Sequence, residues 1–150
     1  MPVHLVKLCV GVESIDELAQ WYASDECKKA RKRKGLRSPN EHAHWTRMKP
    51  KRLEEVLDGG SLYWVIKGIV QVRQPLLDIT EGQKEDGTPC CLLILRNELI
   101  AVRPVPRRAF QGWRYLSAAE APPDLKRGAA IGLSAMPPKL RKQLADLGLL

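Results

Sequence analysis

The stretch that decides the fold is SLYWVIKGIVQVRQPLLDI, residues 61–79, the densest run of β-forming side chains in the chain. Its apolar residues crowd both sides of Lys67 and Gly68. Only glycine adopts a positive φ at little cost, so Gly68 predicts either a bulge or a tight hairpin turn. We therefore expect a pair of strands, or one bulged strand, in this stretch.

A strand and a helix are predicted towards the N-terminus. Residues 3–10, VHLVKLCV, are mostly apolar and β-rich, which is typical of a buried or half-buried strand. Ser14 and Glu17 have the spacing of a capping box, in which each side chain accepts from the other residue's backbone N–H. The basic run at residues 28–34, followed by Gly35, suits the C-terminal end of this helix. That run is either a solvated helix end or a contact for an anion.

The remaining elements follow from alternation, glycine and proline. Residues 42–48 predict a short strand, and Pro50 opens a short second helix that ends at Gly59. Beyond the central stretch, residues 81–89 predict a polar loop and residues 110–116 a last short strand. Two strands at residues 90–95 and 99–102 lie between these, and the proline-rich residues 103–108 should run along the surface or an edge.

This order of elements predicts an α+β fold, with the strands curled into a small mixed β-barrel and two or three flanking helices. We expect one domain over residues 1–150. Within it, residues 117–150 form a looser C-terminal extension that ends in a short helix, because proline and glycine interrupt the pattern until the closing leucines.

Composition favours an anionic partner. The chain has 150 residues, 44% of them hydrophobic, and a formal net charge of +8, which bears on partners and not on fold. No apolar stretch approaches the roughly 20 residues that cross a bilayer, and the N-terminus lacks the layout of a signal peptide. We therefore expect a soluble, cytoplasmic protein without a membrane partner. The four irregularly spaced cysteines are expected to be reduced thiols.

Several segments resemble a known family. The segments VHLVKLCVG, TRMKPKR, GGSLYWVIKG, RPVPRRAFQGWRYL and LADLGLL together resemble an uncharacterised family of short alphaproteobacterial proteins, a domain of unknown function that brings no activity. A second resemblance concerns the order of elements. A helix, a glycine turn and a strand pair over residues 50–79 look like the PUA, ASCH and EVE group of small β-barrels, which bind RNA or modified bases. Fold alone does not fix function.

The predicted function is nucleic-acid binding, with RNA favoured over DNA and with no catalytic residues assigned. Basic side chains hold phosphates and flat side chains stack on bases. Phe110, Trp113 and Tyr115 around Gly112 suit such stacking, and Gln111 suits the edge of an extruded, possibly modified, base. The predicted site comprises Arg47, Lys49, Lys51, Arg52, Tyr63, Lys67, Arg73, Arg107, Arg108, Gln111, Trp113 and Arg114.

Core packing is the alternative for the aromatic residues. Trp64 is expected in the core, and Tyr63 and Trp64 must point to opposite faces of an extended segment. Only one of the two can therefore be a core residue.

Two other functions stay open, although we expect no cofactor and no metal and favour a binding module over an enzyme. Asp78, Glu81 and Lys84 have the residue types of a metal-dependent nuclease or another hydrolase. His42 and His44 share a strand face as zinc ligands would, but two imidazoles beside Arg47 are more simply polar surface or phosphate contacts. The C-terminal leucines suit a protein-interaction adaptor. Oligomeric state does not follow from the sequence.

Overall fold

The computed structural model describes residues 3–9, 12–24, 27, 41–83, 87–108 and 110–125. In chain order the elements of these ranges are β1 (Val3–Leu8), α1 (Ile15–Ala23), β2 (Glu41–Thr46), α2 (Leu53–Leu57), β3 (Ser61–Ile66), β4 (Ile69–Gln83), β5 (Pro89–Arg96), β6 (Ile100–Pro106) and β7 (Trp113–Ser117). Neither helix has the length and apolar character needed to cross a membrane. The basic run at residues 28–34 and the predicted C-terminal helix lie outside the described residues.

The central stretch forms the predicted hairpin. β3 and β4 are antiparallel, and the turn between them consists of Lys67 and Gly68, with φ of 54° and 77°. Two successive positive φ values give the turn a twist that matches that of the flanking strands. A hairpin turn, and not a bulge within one strand, is therefore what Gly68 makes possible.

β4 organises the sheet, whose strand order is β2, β5, β4, β3, β1, β7. The first half of β4 pairs with β3 on one edge and with β6 on the other, and its second half pairs with β5. An irregularity in register between Leu76 and Asp78 separates the two halves. β1 is parallel to β3, and the other strand pairs are antiparallel. The predicted α+β class is confirmed. β4 continues to Gln83, so part of the predicted polar loop is strand.

The predicted closure into a barrel is not supported. β2 and β7 stand at the two ends of the strand order, and no described residues pair them with each other. The chain that follows β2 contacts β7 through side chains of β7. The indole of Trp113 donates to the Met48 carbonyl at 2.8 Å, and the hydroxyl of Tyr115 accepts from the Arg52 N–H at 3.1 Å. Side chains of β7 thus bind the chain that follows β2, and the described residues form no ladder between β2 and β7 themselves.

Both faces of the sheet are covered. The first face carries Leu62, Trp64 and Ile66 of β3 and packs against α1 and α2 through Leu18 and Val56. The second face carries Tyr63 and Val65, and Phe110 and Ala121 pack against it. Tyr63 is 4% exposed and Trp64 2% exposed. Trp64 lies in the core as expected. The expectation that only one of the two is a core residue is wrong, because the second face is covered as well and Tyr63 is buried there.

The N-terminus of α1 is capped by Ser14, whose hydroxyl accepts from the Glu17 N–H at 3.1 Å. The Glu17 carboxylate accepts from the N–H of Glu13 at 2.7 Å, one residue before the predicted partner. Half of the predicted capping box is therefore present, and the carboxylate serves the preceding peptide group instead. The apolar face of the helix, with Leu18 buried and Tyr22 partly buried, lies on the first face of the sheet.

Gln74 is the centre of a polar network inside the first face. Its side chain is fully buried, and its Oε1 accepts from the Tyr22 hydroxyl at 2.7 Å and from Trp64 Nε1 at 2.8 Å. Its Nε2 donates to the Arg96 carbonyl at 3.0 Å and lies 3.4 Å from His42 Nδ1. The Tyr22 and His42 rings are stacked with centroids 3.7 Å apart. One amide therefore joins α1, β2, β3 and β5 to β4.

Replacing this amide tests its contribution. Gln74→Leu leaves the Tyr22 hydroxyl, the Trp64 indole N–H and the Arg96 carbonyl without their buried partner. Each such group costs about 1–3 kcal/mol, and burial of the apolar leucine offsets part of the sum, so we expect the free energy of unfolding to fall by roughly 2–4 kcal/mol. Urea denaturation measures it, with Gln83→Leu, an exposed position on the same strand, as the control. Equal stability of the two variants would contradict this role.

A second polar cluster joins the chain after β7 to the second face. Arg73 donates to both carboxylate oxygens of Asp124, at 2.7 and 2.8 Å, and to the Ser61 hydroxyl at 2.8 Å. The Ser61 N–H donates to His4 Nδ1 at 3.0 Å. Hydrogen bonding with Arg73 lowers the pKa of Asp124. Burial, and then the positive charge of Arg73, lower the pKa of His4.

The lowered pKa of His4 predicts a pH dependence of stability. The unfolded chain takes up this proton near pH 6.5, whereas the folded chain takes it up only at lower pH. The contribution of neutral His4 to stability is thus fully present above about pH 6.5. It is lost as the pH falls from there through the lower pKa of the folded state. In His4→Gln, whose amide oxygen can still accept from Ser61, we expect a smaller loss of stability between about pH 7 and pH 5. Denaturation at several pH values measures the two slopes, and identical slopes would refute the assignment.

Candidate nucleic-acid interface

The predicted site residues separate into groups on the two faces of the sheet. On the second face, the guanidiniums of Arg107 and Arg114 lie over the Phe110 ring, and Arg108 and Gln111 are exposed residues close to it in the chain. We call these five residues the Phe110 patch. Along the first face, Arg47, Lys49, Lys51 and Arg52 form the chain after β2, which we call the 47–52 loop and which contacts Trp113. Tyr63, Lys67 and Arg73 belong to neither group. The structure therefore does not bring the predicted residues into one cleft.

The Phe110 patch is built on a partly buried ring. Phe110 packs against the second-face cluster of Val6, Tyr63, Val65, Val70, Val102 and Leu116. The guanidinium carbons of Arg107 and Arg114 each lie 5.5 Å from the centroid of the Phe110 ring. This is the geometry of a cation–π contact, which holds a planar cation close to an aromatic face. The ring thus gathers two arginines at one place on the surface.

Hydrogen bonds and a glycine turn fix the chain on both sides of Phe110. The N–H of Arg107 donates to the Gly68 carbonyl at 2.9 Å, which ties the end of β6 to the turn between β3 and β4. Gly112 has a φ of 69° and reverses the chain into β7, a conformation that side chains rarely adopt. Arg114 Nη1 donates to the Gln111 carbonyl at 3.0 Å. Phe110 is therefore held between two anchored ends, with Arg108 and Gln111 exposed.

The arginines of the Phe110 patch differ from Lys49 and Arg52 in their ion pairs. None of its three arginines forms an ion pair with a carboxylate in the described part of the chain. By contrast, Lys49 lies 3.5 Å from Glu81, and Arg52 binds Glu55. Positive charge that is concentrated without an internal counter-charge attracts anions most strongly. The Phe110 patch thus gathers three of the predicted cations that have no ion pair in the described part of the chain.

The 47–52 loop lies against β7. The indole of Trp113 and the hydroxyl of Tyr115 hold its backbone, and the two rings meet edge to face at 4.8 Å. The Arg52 guanidinium lies 5.5 Å from the Tyr115 centroid. Trp113 is only half-buried. Among the described residues, Arg47 and Lys51 have no ion pair, so they are the free cations of this loop.

Three of the predicted contact residues already bind or pack against other residues of the protein. Tyr63 is buried with its ring edge-on to His4 at 5.2 Å. Arg73 is committed to Asp124 and Ser61. Lys67 pairs with Glu13 at 2.9 Å, although its place in the hairpin turn brings it near Arg107 through the Gly68 carbonyl. These three residues remain predicted contacts, but each would have to exchange an existing partner for a ligand.

Neither the nuclease nor the zinc arrangement converges. Asp78 and Glu81 are three residues apart in a regular stretch of β4 and so point to opposite faces, and Lys84 lies outside the described residues. His42 is buried on Tyr22, and His44 lies edge-on to Trp64 at 5.0 Å. The expectation that both imidazoles are polar surface is therefore wrong. In the described ranges no three His, Cys, Asp or Glu side chains cluster as metal ligands would.

Sequence reasoning missed the role of Phe110 and the partners of Arg73. Phe110 was expected to stack on a base, yet two guanidiniums lie over its ring. Arginines three residues before and four residues after an aromatic residue, with a glycine between, were the available indication. The pairing of Arg73 with Asp124 joins residues 51 positions apart, and no local pattern announces such a contact.

Comparison with known proteins gives a family and no activity. A model of the family described as protein of unknown function DUF1489 matches residues 5–150. A search of curated proteins found no match, and a search of solved structures found none either. Because the match covers nearly the whole sequence, the chain belongs to the DUF1489 family.

Proposed function

We propose that this protein binds single-stranded nucleic acid, RNA in preference to DNA, with the Phe110 patch as the centre of the contact. One observation carries the proposal: the guanidiniums of Arg107 and Arg114 lie over one aromatic ring, and no described carboxylate pairs with them or with the exposed Arg108. The formal net charge of +8 adds a general attraction for polyanions. The proposal includes a cytoplasmic location and no catalytic step.

The arrangement of the arginines suits phosphate groups. A guanidinium presents several N–H donors in a fixed plane and binds phosphate oxygens in pairs. Arg107 and Arg114 are oriented by the ring, so less side-chain freedom is lost when they bind. Their carbons already lie over Phe110. Bases would therefore stack on the outer planes of the guanidiniums and not directly on the ring.

The strand β7 extends this surface to the other face. Trp113 and Arg114 are neighbours in β7 and point to opposite faces. β7 stands at the end of the strand order, next to the 47–52 loop. A single strand that crosses this edge would meet the Phe110 patch first and then Trp113, Arg47 and Lys51. A single strand can make this bend more easily than a duplex, which is stiff.

Gln111 is the candidate for reading a base. Its side chain is exposed beside the arginines, and an amide carries both a donor and an acceptor for the edge of a base. On the order of elements over residues 50–79, and not on closure of the sheet, we also propose kinship with the PUA, ASCH and EVE proteins. More specifically, we propose that the base contacted by Gln111 is a modified base in RNA.

Removing one arginine at a time tests the contact. We expect Arg108→Gln and Arg114→Gln each to weaken binding of a short single-stranded RNA by roughly tenfold, because each removes a charged hydrogen bond to phosphate. Each should also reduce the slope of log affinity against log salt by about 0.7. Fluorescence anisotropy with RNA and DNA of the same sequence measures both effects.

Arg96→Gln is the matched control, since Arg96 is exposed, pairs with Glu98 at 3.6 Å and lies in β5, outside the Phe110 patch. It removes the same charge and should weaken binding less than either patch variant. Equal losses in all three variants would reduce the effect to net charge. Absence of RNA binding at low salt would refute the proposed function.

The ring can be tested separately. Phe110→Leu keeps an apolar side chain against the second face but removes the cation–π contacts with Arg107 and Arg114. Such contacts are worth about 0.5–1 kcal/mol at exposed sites, so we expect RNA affinity to fall by roughly threefold to fivefold. The salt slope should stay unchanged because no charge is lost. Wild-type affinity in a folded Phe110→Leu variant would show that the ring does not orient the arginines.

A further inference from the structure

A cleft of about 560 Å³ lies between the 47–52 loop and the adjoining ends of β4 and β5. It contains no residue of the Phe110 patch. Arg47 and Lys49 stand on the side of the loop, and Glu81, Gln83, Pro89 and Cys91 line the strands. Its volume is within the range of small-molecule sites, about 300–1,000 Å³. We propose that this cleft binds a nucleoside monophosphate group, either as a free mononucleotide or as the phosphorylated end of a strand.

The cations of the cleft are available to a phosphate. Arg47 is exposed, and no described carboxylate pairs with it. Lys49 lies 3.5 Å from Glu81, with the two side chains 45% and 82% exposed. An ion pair this long and this exposed contributes little. A doubly charged phosphate that reaches both Arg47 and Lys49 therefore competes well with Glu81.

The rest of the lining suits the nucleoside. Inorganic phosphate would fill only a small part of the volume. The exposed Pro89 provides apolar surface for a base or a sugar ring, and the buried Cys91 lies at the base of this part of the lining. Once phosphate displaces it from Lys49, the Glu81 carboxylate can accept from ribose hydroxyls, and the Gln83 amide can both donate and accept. Phosphate, hydroxyl and ring recognition are thus present within one cleft.

Calorimetric titration of the full chain with uridine and adenosine monophosphates, and with inorganic phosphate, tests the site. We expect saturable nucleotide binding that Arg47→Gln weakens at least about tenfold, whereas Arg96→Gln, which removes the same charge from β5 outside the cleft, leaves it unchanged. Glu81→Gln should tighten inorganic phosphate, because it removes the competing carboxylate, and should reduce the preference for nucleotide over phosphate.

Oligonucleotides with a 5′-phosphate or a 5′-hydroxyl distinguish the two sources of the ligand. If the end of a strand occupies the cleft, the phosphorylated form binds more tightly and Arg47→Gln abolishes the difference. The inference is overturned if neither mononucleotides nor terminal phosphates bind, if inorganic phosphate binds as tightly as the nucleotides, or if Arg47→Gln has no effect on any of them. RNA binding that depends on Arg108 and Arg114 would survive each of these results, so the two proposals fail separately.

Discussion

The hydrogen bonds of the buried Gln74 amide are the constraint on which the rest of the structure depends. Gln74 lies in the first half of β4, just before the irregularity that separates the two sets of partners of this strand. Through Tyr22, Trp64 and the Arg96 carbonyl it fixes α1, β3 and β5 against that point. An unsatisfied amide in this position would be costly, so alternative registers of β4 are excluded.

Because the first face is fixed in this way, the second face and the β7 edge are left to carry the surface chemistry. Tyr63, Val65 and their neighbours provide an apolar platform, and Phe110 is partly buried on it. The ring in turn positions Arg107 and Arg114. The order of dependence is therefore a polar network in the core, then a covered sheet face, then an aromatic anchor, then an unpaired cluster of charge. Each level gives the next a rigid support.

The sequence predicted what is local and missed what is distant. Gly68, Ser14 and the density of β-branched residues around Trp64 are short-range features, and the hairpin, the cap of α1 and the α+β class follow from them. The barrel prediction failed because closure would require pairing between β2 and β7, two strands that are far apart in the sequence. Instead, Trp113 and Tyr115 bind the backbone of the 47–52 loop. Likewise, Arg73 is basic in the sequence but is engaged by Asp124 in the fold. Charge can be counted from a sequence, whereas its availability requires knowledge of its partners.

We propose that an RNA strand lies on the Phe110 patch and crosses the sheet edge formed by β7. Photocrosslinking with single-stranded RNA that carries 4-thiouridine at each position in turn, followed by mass spectrometry of the peptides, tests it most directly. We expect crosslinks within residues 107–115, and we expect crosslinks from one end of the RNA to reach residues 47–52. Crosslinks confined to the basic run at residues 28–34, with none in residues 107–115, would contradict it.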